Sequence, residues 1–442
     1  MGGRLLASIH FVGTYPPIRC GIADYASFLT RKSPAGQWAV LSFRLDSDEL
    51  PVVIDDYTAT RNIWYGIPGP RKFSASVIKD GLRELGARSD EVVLWFQHEF
   101  GIWSNDRAFI KMLRGLDLPK VVTFHTLRFQ SKETPTGLVK YEYDLLQSLL
   151  PHVDAITVFS RGVHGAVTTA FPMYRHKVHI IRHGVHSYPT VSNLSRQEAK
   201  SALNAFLLYE SELDQETKEA LHRERIFLDP ETVIIGQTGF LHPIKGSEHL
   251  YPARDELQKL IPDRRIVAVR IGVPRRKEDI GHASEMRLSQ NGIDKFLLKT
   301  WLPERLLPLA QRAFDINYYW PHECTQSGVL SHALGAGAII AGRDLEGVGE
   351  TLKDAGAMAD SDPECLLLKI RDHVLNPWLQ FQVEQKALAY AGKYSWGNQT
   401  RLHYKLAQEV LLPVPVLEKS NALVEAGNIG APLTAWRILS EH

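Results

Sequence analysis

Short apolar runs alternate with longer stretches of helical spacing from the start of the chain. Residues 5–12, 37–43, 92–97, 121–125, 155–159 and 178–182 have the length and composition of buried strands. Between them, 22–32 and 138–150 carry helical periodicity. Strand and helix in alternation imply right-handed βαβ crossovers and a parallel sheet covered on both faces. The alternation lapses from about residue 187 to 229, a polar stretch with helical spacing at Ala199, Leu203, Phe206 and Leu207. A second α/β series follows at 233–237, 266–271, 296–299, 315–319 and 338–341. The pattern predicts two Rossmann-like α/β domains, 1–185 and 186–394, joined near His183 and His186. Helices are expected at 363–375, 379–393 and 396–412, with 395–412 returning to the first domain. The tail 413–442, opened by Pro413 and Pro415, takes no assignment. Open parallel sheets bind ligands at the carboxyl ends of their strands, so two such sheets facing each other make one deep cleft.

Composition narrows this picture. At roughly 150 residues per domain, 442 residues suit two or three domains. Lys plus Arg total 51 against 50 Asp plus Glu, a formal charge of +1, which argues against a nucleic-acid partner but leaves room for a local basic cleft. An apolar fraction of 44% supports a large core and excludes global disorder. No uninterrupted run of 18 apolar residues suggests a membrane span. The stretch 4–13 superficially resembles a signal peptide, but it is short, contains His10 and runs into a Pro/Gly turn, so a buried strand is expected instead. Cys20, Cys324 and Cys365 form no paired spacing and fit a reducing, cytoplasmic compartment.

Several segments carry candidate chemistry. The turn 13–21 after the first strand is Gly/Pro-rich and leads into a helix, whose first N–H groups can hold an anion. A plain βα turn fits equally, and no GxGxxG fingerprint is present. Gln97, His98 and Glu99 close an apolar strand, where polar groups are costly unless hydrogen-bonded or facing a ligand. His125 likewise ends a buried strand and is expected to point into the cleft, although a hydrogen-bonded structural histidine fits the same position. Lys245 and Gly246 precede a helix expected over 247–260. A lysine at the positive end of a helix dipole is unfavourable without an anion nearby. His176, His179, His183 and His186 spread over a strand and a hinge with no carboxylate or cysteine beside them, so no metal site is expected there. Arg71–Lys72 and the basic triplet at 275–277 read as solvated or phosphate-contacting residues.

Thr14-Tyr15-Pro16-Pro17-Ile18-Arg19-Cys20-Gly21-Ile22-Ala23, the first of six ordered segments, resembles the N-terminal signature of family 4 glycosyltransferases, retaining enzymes of the two-domain GT-B fold. Gln97-His98-Glu99-Phe100-Gly101-Ile102 is similar to a subgroup segment, and Thr123-Phe124-His125-Thr126 to a strand end. Ile181-Arg182-His183-Gly184-Val185 resembles the hinge, and Gly239-Phe240-Leu241-His242-Pro243-Ile244-Lys245-Gly246 the phosphate loop. The stretch 327–337 resembles the donor-binding strand–loop–helix, and Ser395-Trp396 a recurrent C-terminal helix start. Family members often carry an Arg early in the phosphate loop. Here Phe240 and His242 stand there, with Arg270, Arg275 and Arg276 as candidate substitutes. Many relatives also place two glutamates eight residues apart before the last donor helix. Ungapped alignment on 333–337 puts Cys324 and His332 at those places, and a one-residue shift restores Glu323.

The resemblance implies a metal-independent hexosyltransferase with no cofactor, using a nucleoside-diphosphate sugar as donor. His125, Lys245 and Glu323 would carry the chemistry. Gly21, Phe240, Lys245, Gly246, Glu323, Ser327, Gly328, Val329 and His332 would bind the donor, with the base near Trp301 to Arg305. Arg19, Gln97, His98 and Glu99 would line the acceptor side. The acceptor (glycan, lipid-linked group or small molecule) stays open, as does peripheral membrane contact. Two alternatives stay open as well: a degenerate GT-B protein that binds nucleotide sugar or glycan without transfer, and an epimerase or phosphorylase on the same fold.

Overall fold

The computed structural model describes residues 7–47, 60–88, 90–274 and 279–412. Leu5 and Leu6 of the first expected strand, Arg275, Arg276 and the tail 413–442 lie outside the described residues. The first sheet comprises β1 (Ser8–Val12), β2 (Trp38–Phe43), β3 (Ile63–Ile67), β4 (Val92–His98), β5 (Lys120–Phe124), β6 (Ala155–Val158) and β7 (Val178–Ile180). Its order is β3-β2-β1-β4-β5-β6-β7, parallel throughout. The second sheet comprises β8 (Thr232–Thr238), β9 (Arg265–Ile271), β10 (Lys295–Leu298), β11 (Ile316–Tyr319), β12 (Ile340–Arg343) and β13 (Met358–Asp360). It runs β10-β9-β8-β11-β12-β13, again parallel. This is the two-domain α/β architecture expected from the alternation of patterns.

The central strands fold because both their faces are apolar, as burial between two helical layers requires. In β4 every residue is buried. Leu94 and Phe96 point into a core with Trp103, Phe109 and Leu146, while Val93 and Trp95 point into another with Ile9, Phe11 and Tyr404. Each fully buried Val, Leu or Phe contributes roughly 1.5–3 kcal/mol. The helix Trp396–Leu411 belongs to the second of these cores, so the chain crosses back to cover the first sheet. The polar stretch after residue 187 covers the second sheet. Its helix Arg196–Tyr209 starts in a capping box of Ser195 and Glu198. Leu203, Phe206 and Leu207 then pack with Leu221 against Ile234, Val267 and Phe296. Among the described residues no helix is long and apolar enough to cross a membrane.

Two strands escape the sequence pattern. β3 is broken by Gly66, and β13 is only three residues long. Both lie at sheet edges, where one neighbour is missing and apolar continuity is not required. The helix expected over 247–260 is instead a 3₁₀ turn, Ser247–His249, followed by the helix Leu250–Leu260.

The two chain crossings between domains run side by side. Val185 N–H donates to Tyr394 O at 2.9 Å, and Val185 pairs with Ser395 as a parallel bridge. Gly184 lies so close to the Trp396 indole that a Cβ there would sit 2.3 Å from the ring.

Candidate functional site

Strand order reverses in each sheet, between β1 and β4 and again between β8 and β11. At such switch points the loops leaving neighbouring strands diverge to opposite faces and open a crevice at the carboxyl edge. The loops after β1, β4, β8 and β11 carry most of the segments singled out above.

On the first domain, the turn after β1 contains a cis Pro16–Pro17 peptide and enters the helix Gly21–Thr30. Cys20 precedes that helix without capping it through its side chain, and Arg19 and Gly21 are exposed. Next to this turn, His125 Nε2 bonds Gln97 Oε1 at 2.7 Å. Because an amide oxygen only accepts, the imidazole proton sits on Nε2. The ring packs edge-on against Tyr25 (4.8 Å between centroids) and against Phe159 (5.3 Å). Burial, with His183 and His98 adding to it, holds His125 well below the usual histidine range, so it is neutral. Gln97 Nε2 is buried and has no hydrogen-bond partner among the described residues. Glu99 accepts from Thr126 Oγ1 at 2.7 Å and from Phe100 N–H at 3.1 Å, and burial raises its pKa.

His98 goes elsewhere. Successive strand side chains face opposite ways, and the pleat that turns Gln97 toward His125 turns His98 into the core. There it is fully buried among Phe100, Phe109 and Phe124, with neither ring nitrogen bonded to any of the described residues. The expected acceptor-side position therefore does not describe where His98 lies.

On the second domain, β8 leads through Gly239 and the half-exposed Phe240 into the 3₁₀ turn Pro243–Lys245. Phe240 approaches Trp301 at 5.5 Å between ring centroids. Gly246 has φ +62°, and a Cβ there would lie 1.9 Å from Trp320 O. Only glycine combines that left-handed turn with so close an approach. Lys245 has its carbonyl bonded by Gln237 Nε2 at 2.9 Å, while its ammonium makes no ion pair among the described residues. Arg270 is completely buried beneath this loop. Its guanidinium donates to Ser247 Oγ (2.9 Å), Gly239 O (3.0 Å), Ile271 O (2.5 Å) and Phe240 O (2.8 Å). Burial pushes it down to about 9. Arg270 thus shapes the loop from below, with its donors spent on protein oxygens, and does not take the place of the arginine missing at Phe240. After β11, Ser327 caps the helix Gly328–Gly335 by accepting from Leu330 N–H. The first N–H groups of this helix, at Gly328 and Val329, have no partner within it.

His332 faces the hinge. Its Nδ1 bonds Tyr188 Oη at 2.5 Å and its ring stacks on His186 at 4.1 Å. His186 also receives Trp396 Nε1–H at 3.3 Å, and burial pushes His332 and His183 down to about 4. His183 Nδ1 bonds Gly184 O.

Contacts between the domains bring the two edges together. Thr325 Oγ1–H donates to His125 O at 3.1 Å. Arg128 bonds Glu142 Oε1 (2.9 Å) on its own domain and Glu323 Oε2 (3.1 Å) on the other. Burial pushes Glu142 up to about 7 against the pull of Arg128. Glu346 accepts from Phe129 N–H (2.8 Å) and Gln130 N–H (3.1 Å), and its own N–H returns to Gln130 Oε1 (3.1 Å). That exchange holds Glu346 at φ +47°, a left-handed conformation costly for a side-chain-bearing residue. Glu350 accepts the first N–H groups of the helix Arg161–Ala170, from Arg161 (2.9 Å) and Gly162 (3.0 Å). It also pairs with the buried Arg182, which bonds Asp354 at 2.7 Å. Arg128, Glu346 and Glu350 went unread in the sequence because their partners lie about 190 or more residues away.

No family model matches the chain, and no curated protein matches it. Solved structures do. The chain is similar to sucrose-phosphate synthase from Thermosynechococcus elongatus, with TM-score 0.64 and 11% identity over 91% of this chain and 99% of that one. It is also similar to a UDP-forming α,α-trehalose-phosphate synthase from Burkholderia xenovorans, with TM-score 0.62 and 13% identity over 92% and 100%. A third is Anabaena HepE in complex with UDP, with TM-score 0.61 and 11% identity over 91% and 100%. At these identities the shared property is the fold, the GT-B architecture of two facing Rossmann-like domains.

Proposed function

We propose that this chain is a retaining glycosyltransferase that moves a hexose from a nucleoside-diphosphate sugar to a hydroxyl acceptor. The observation that carries the reading is Lys245, an ammonium without an ion-pair partner among the described residues on a glycine-pinned loop at the β8/β11 switch point. Negative charge grows on the departing diphosphate in the transition state. A fixed cation and helix N–H groups aimed there lower the barrier without reorganising. In this reading Lys245 and the N–H groups at Gly328 and Val329 meet the diphosphate. Glu323 and His125 position the sugar, and Gln97, Glu99 and Arg19 face the acceptor. His125 is neutral and bonded to Gln97, so it acts as a hydrogen-bonding group and not as a proton carrier. Attack and departure share one face of the sugar, so no side chain serves as nucleophile.

A uridine-diphosphate sugar is the first donor to test, because Anabaena HepE was solved with UDP and with UDP-glucose. Lys245→Ala is expected to lower transfer on the order of 10²-fold or more. Unchanged turnover with the working donor would overturn the assignment. A second reading, nucleotide-sugar binding without transfer, is favoured by two features. Phe240 stands where relatives carry a phosphate-binding arginine, and His332 is spent on Tyr188. Calorimetric titration with a donor panel, followed by nucleotide-release assays over many acceptors, separates the two. Tight binding with no release supports the second.

A further inference from the structure

One cluster of ligating side chains plays no part in this reading. We infer that Glu248, His249 and His322 form a site for a single transition-metal dication of the zinc class, on the flank of the phosphate loop.

Each residue offers one donor atom, and the three atoms lie within 4.8 Å of one another. His322 Nε2 is hydrogen-bonded to Glu248 Oε1, His249 Nε2 stands 3.8 Å from the same oxygen, and the two rings are 5.2 Å apart. Two imidazoles and one carboxylate, with an open fourth position, are a donor set that zinc takes at about 2.0–2.2 Å per ligand. Among the described residues Glu248 pairs only with these two imidazoles. Among the described residues no lysine or arginine pairs with its oxygens. The side chains are 40–46% exposed, which gives an ion access and lets the rings turn to its radius.

The backbone beneath them is already fixed. His249 N–H donates to Gly246 O (3.2 Å), and His322 N–H donates to Ile244 O (3.0 Å). Arg343 Nη1 donates to Pro321 O at 3.1 Å. Gly246 packs directly on Trp320 O. Two ligands therefore come from the turn that follows Lys245, and the third from the residue next to Glu323. A bound ion would brace the phosphate loop against the Glu323 loop.

The test is a Co²⁺ titration of the full-length, metal-stripped protein, followed by visible d–d absorption. One saturable equivalent, displaced by Zn²⁺, is expected for the wild type. His322→Ala and Glu248→Gln should each weaken it roughly tenfold or more. His176→Ala, at an exposed histidine outside the cluster, should bind as the wild type does. Zn²⁺ should also raise the melting temperature of the wild type and leave that of Glu248→Gln unmoved. The inference is overturned if the wild type shows no one-equivalent spectrum. It is equally overturned if His322→Ala and a second variant, His249→Gln, bind Co²⁺ as tightly as the wild type. The contact between His322 and Glu248 is then an ordinary imidazole–carboxylate hydrogen bond.

Discussion

His98→Phe isolates one buried imidazole and asks how much it contributes to acid sensitivity. Both ring nitrogens of His98 lack partners among the described residues, three phenylalanine rings surround it within 5.1 Å, and burial pushes it down to about 3. An unfolded histidine titrates near 6.5. Below that pH the unfolded chain takes up a proton that the folded chain refuses, so stability is lost as the pH falls from about 6.5 toward 3. The slope approaches about 1.36 kcal/mol per pH unit below pH 6.5, which gives roughly 2.7 kcal/mol between pH 7.5 and 4.5. At pH 7.5 the substitution removes two unpaired polar atoms and adds ring volume. These terms are of similar size, so the variant should lie within about 1 kcal/mol of wild type. Urea unfolding followed by the fluorescence of the buried Trp95 and Trp103 measures both conditions. The variant should lose roughly 2–3 kcal/mol less than the wild type between pH 7.5 and 4.5. Equal losses would show that the imidazole protonates inside the fold and refute the argument. His10 and His403, each pushed to about 4, act with the same sign. Glu142, pushed up to about 7, acts oppositely between about pH 4.5 and 7. Because His98 does not face the crevice, the folded variant should also keep its turnover, and a folded but inactive variant would return His98 to the acceptor side.

Two further substitutions test the turn at Gly246 and the domain contact at Glu350. Gly246→Ala forces a Cβ against Trp320 O in a left-handed turn, a backbone cost of about 1 kcal/mol before the clash. The 3₁₀ turn should shift and nucleotide-sugar affinity fall on the order of tenfold, read by calorimetry; wild-type affinity would contradict the role of the turn. Glu350→Ala uncaps the helix Arg161–Ala170 and leaves Arg182 with Asp354 as its carboxylate partner. A loss of about 2 kcal/mol or more at the domain contact is expected. It should appear as earlier melting and a larger radius in small-angle scattering, and an unchanged radius would count against a clamp at this position.

The two-domain layout was legible in the order of residues, because strands buried on both faces must be near-continuous apolar runs, as in Val92-Val93-Leu94-Trp95-Phe96. That order also marked the strand ends at Gln97 and His125, since polar residues closing such runs are conspicuous. Edge strands β3 and β13 were beyond it, because an edge needs neither length nor unbroken apolarity. Which polar residues face the crevice is set by packing in three dimensions. The pleat sends Gln97 toward His125 and its neighbour His98 into the phenylalanine core, and three consecutive polar letters do not say which is which. Pairing was likewise outside the sequence. Arg270 is consumed by backbone carbonyls, His332 by Tyr188, and Glu346 and Glu350 by N–H groups of the opposite domain. Hydrogen bonds are satisfied in space, so whether a charged residue is free for a ligand depends on partners the chain brings from far away.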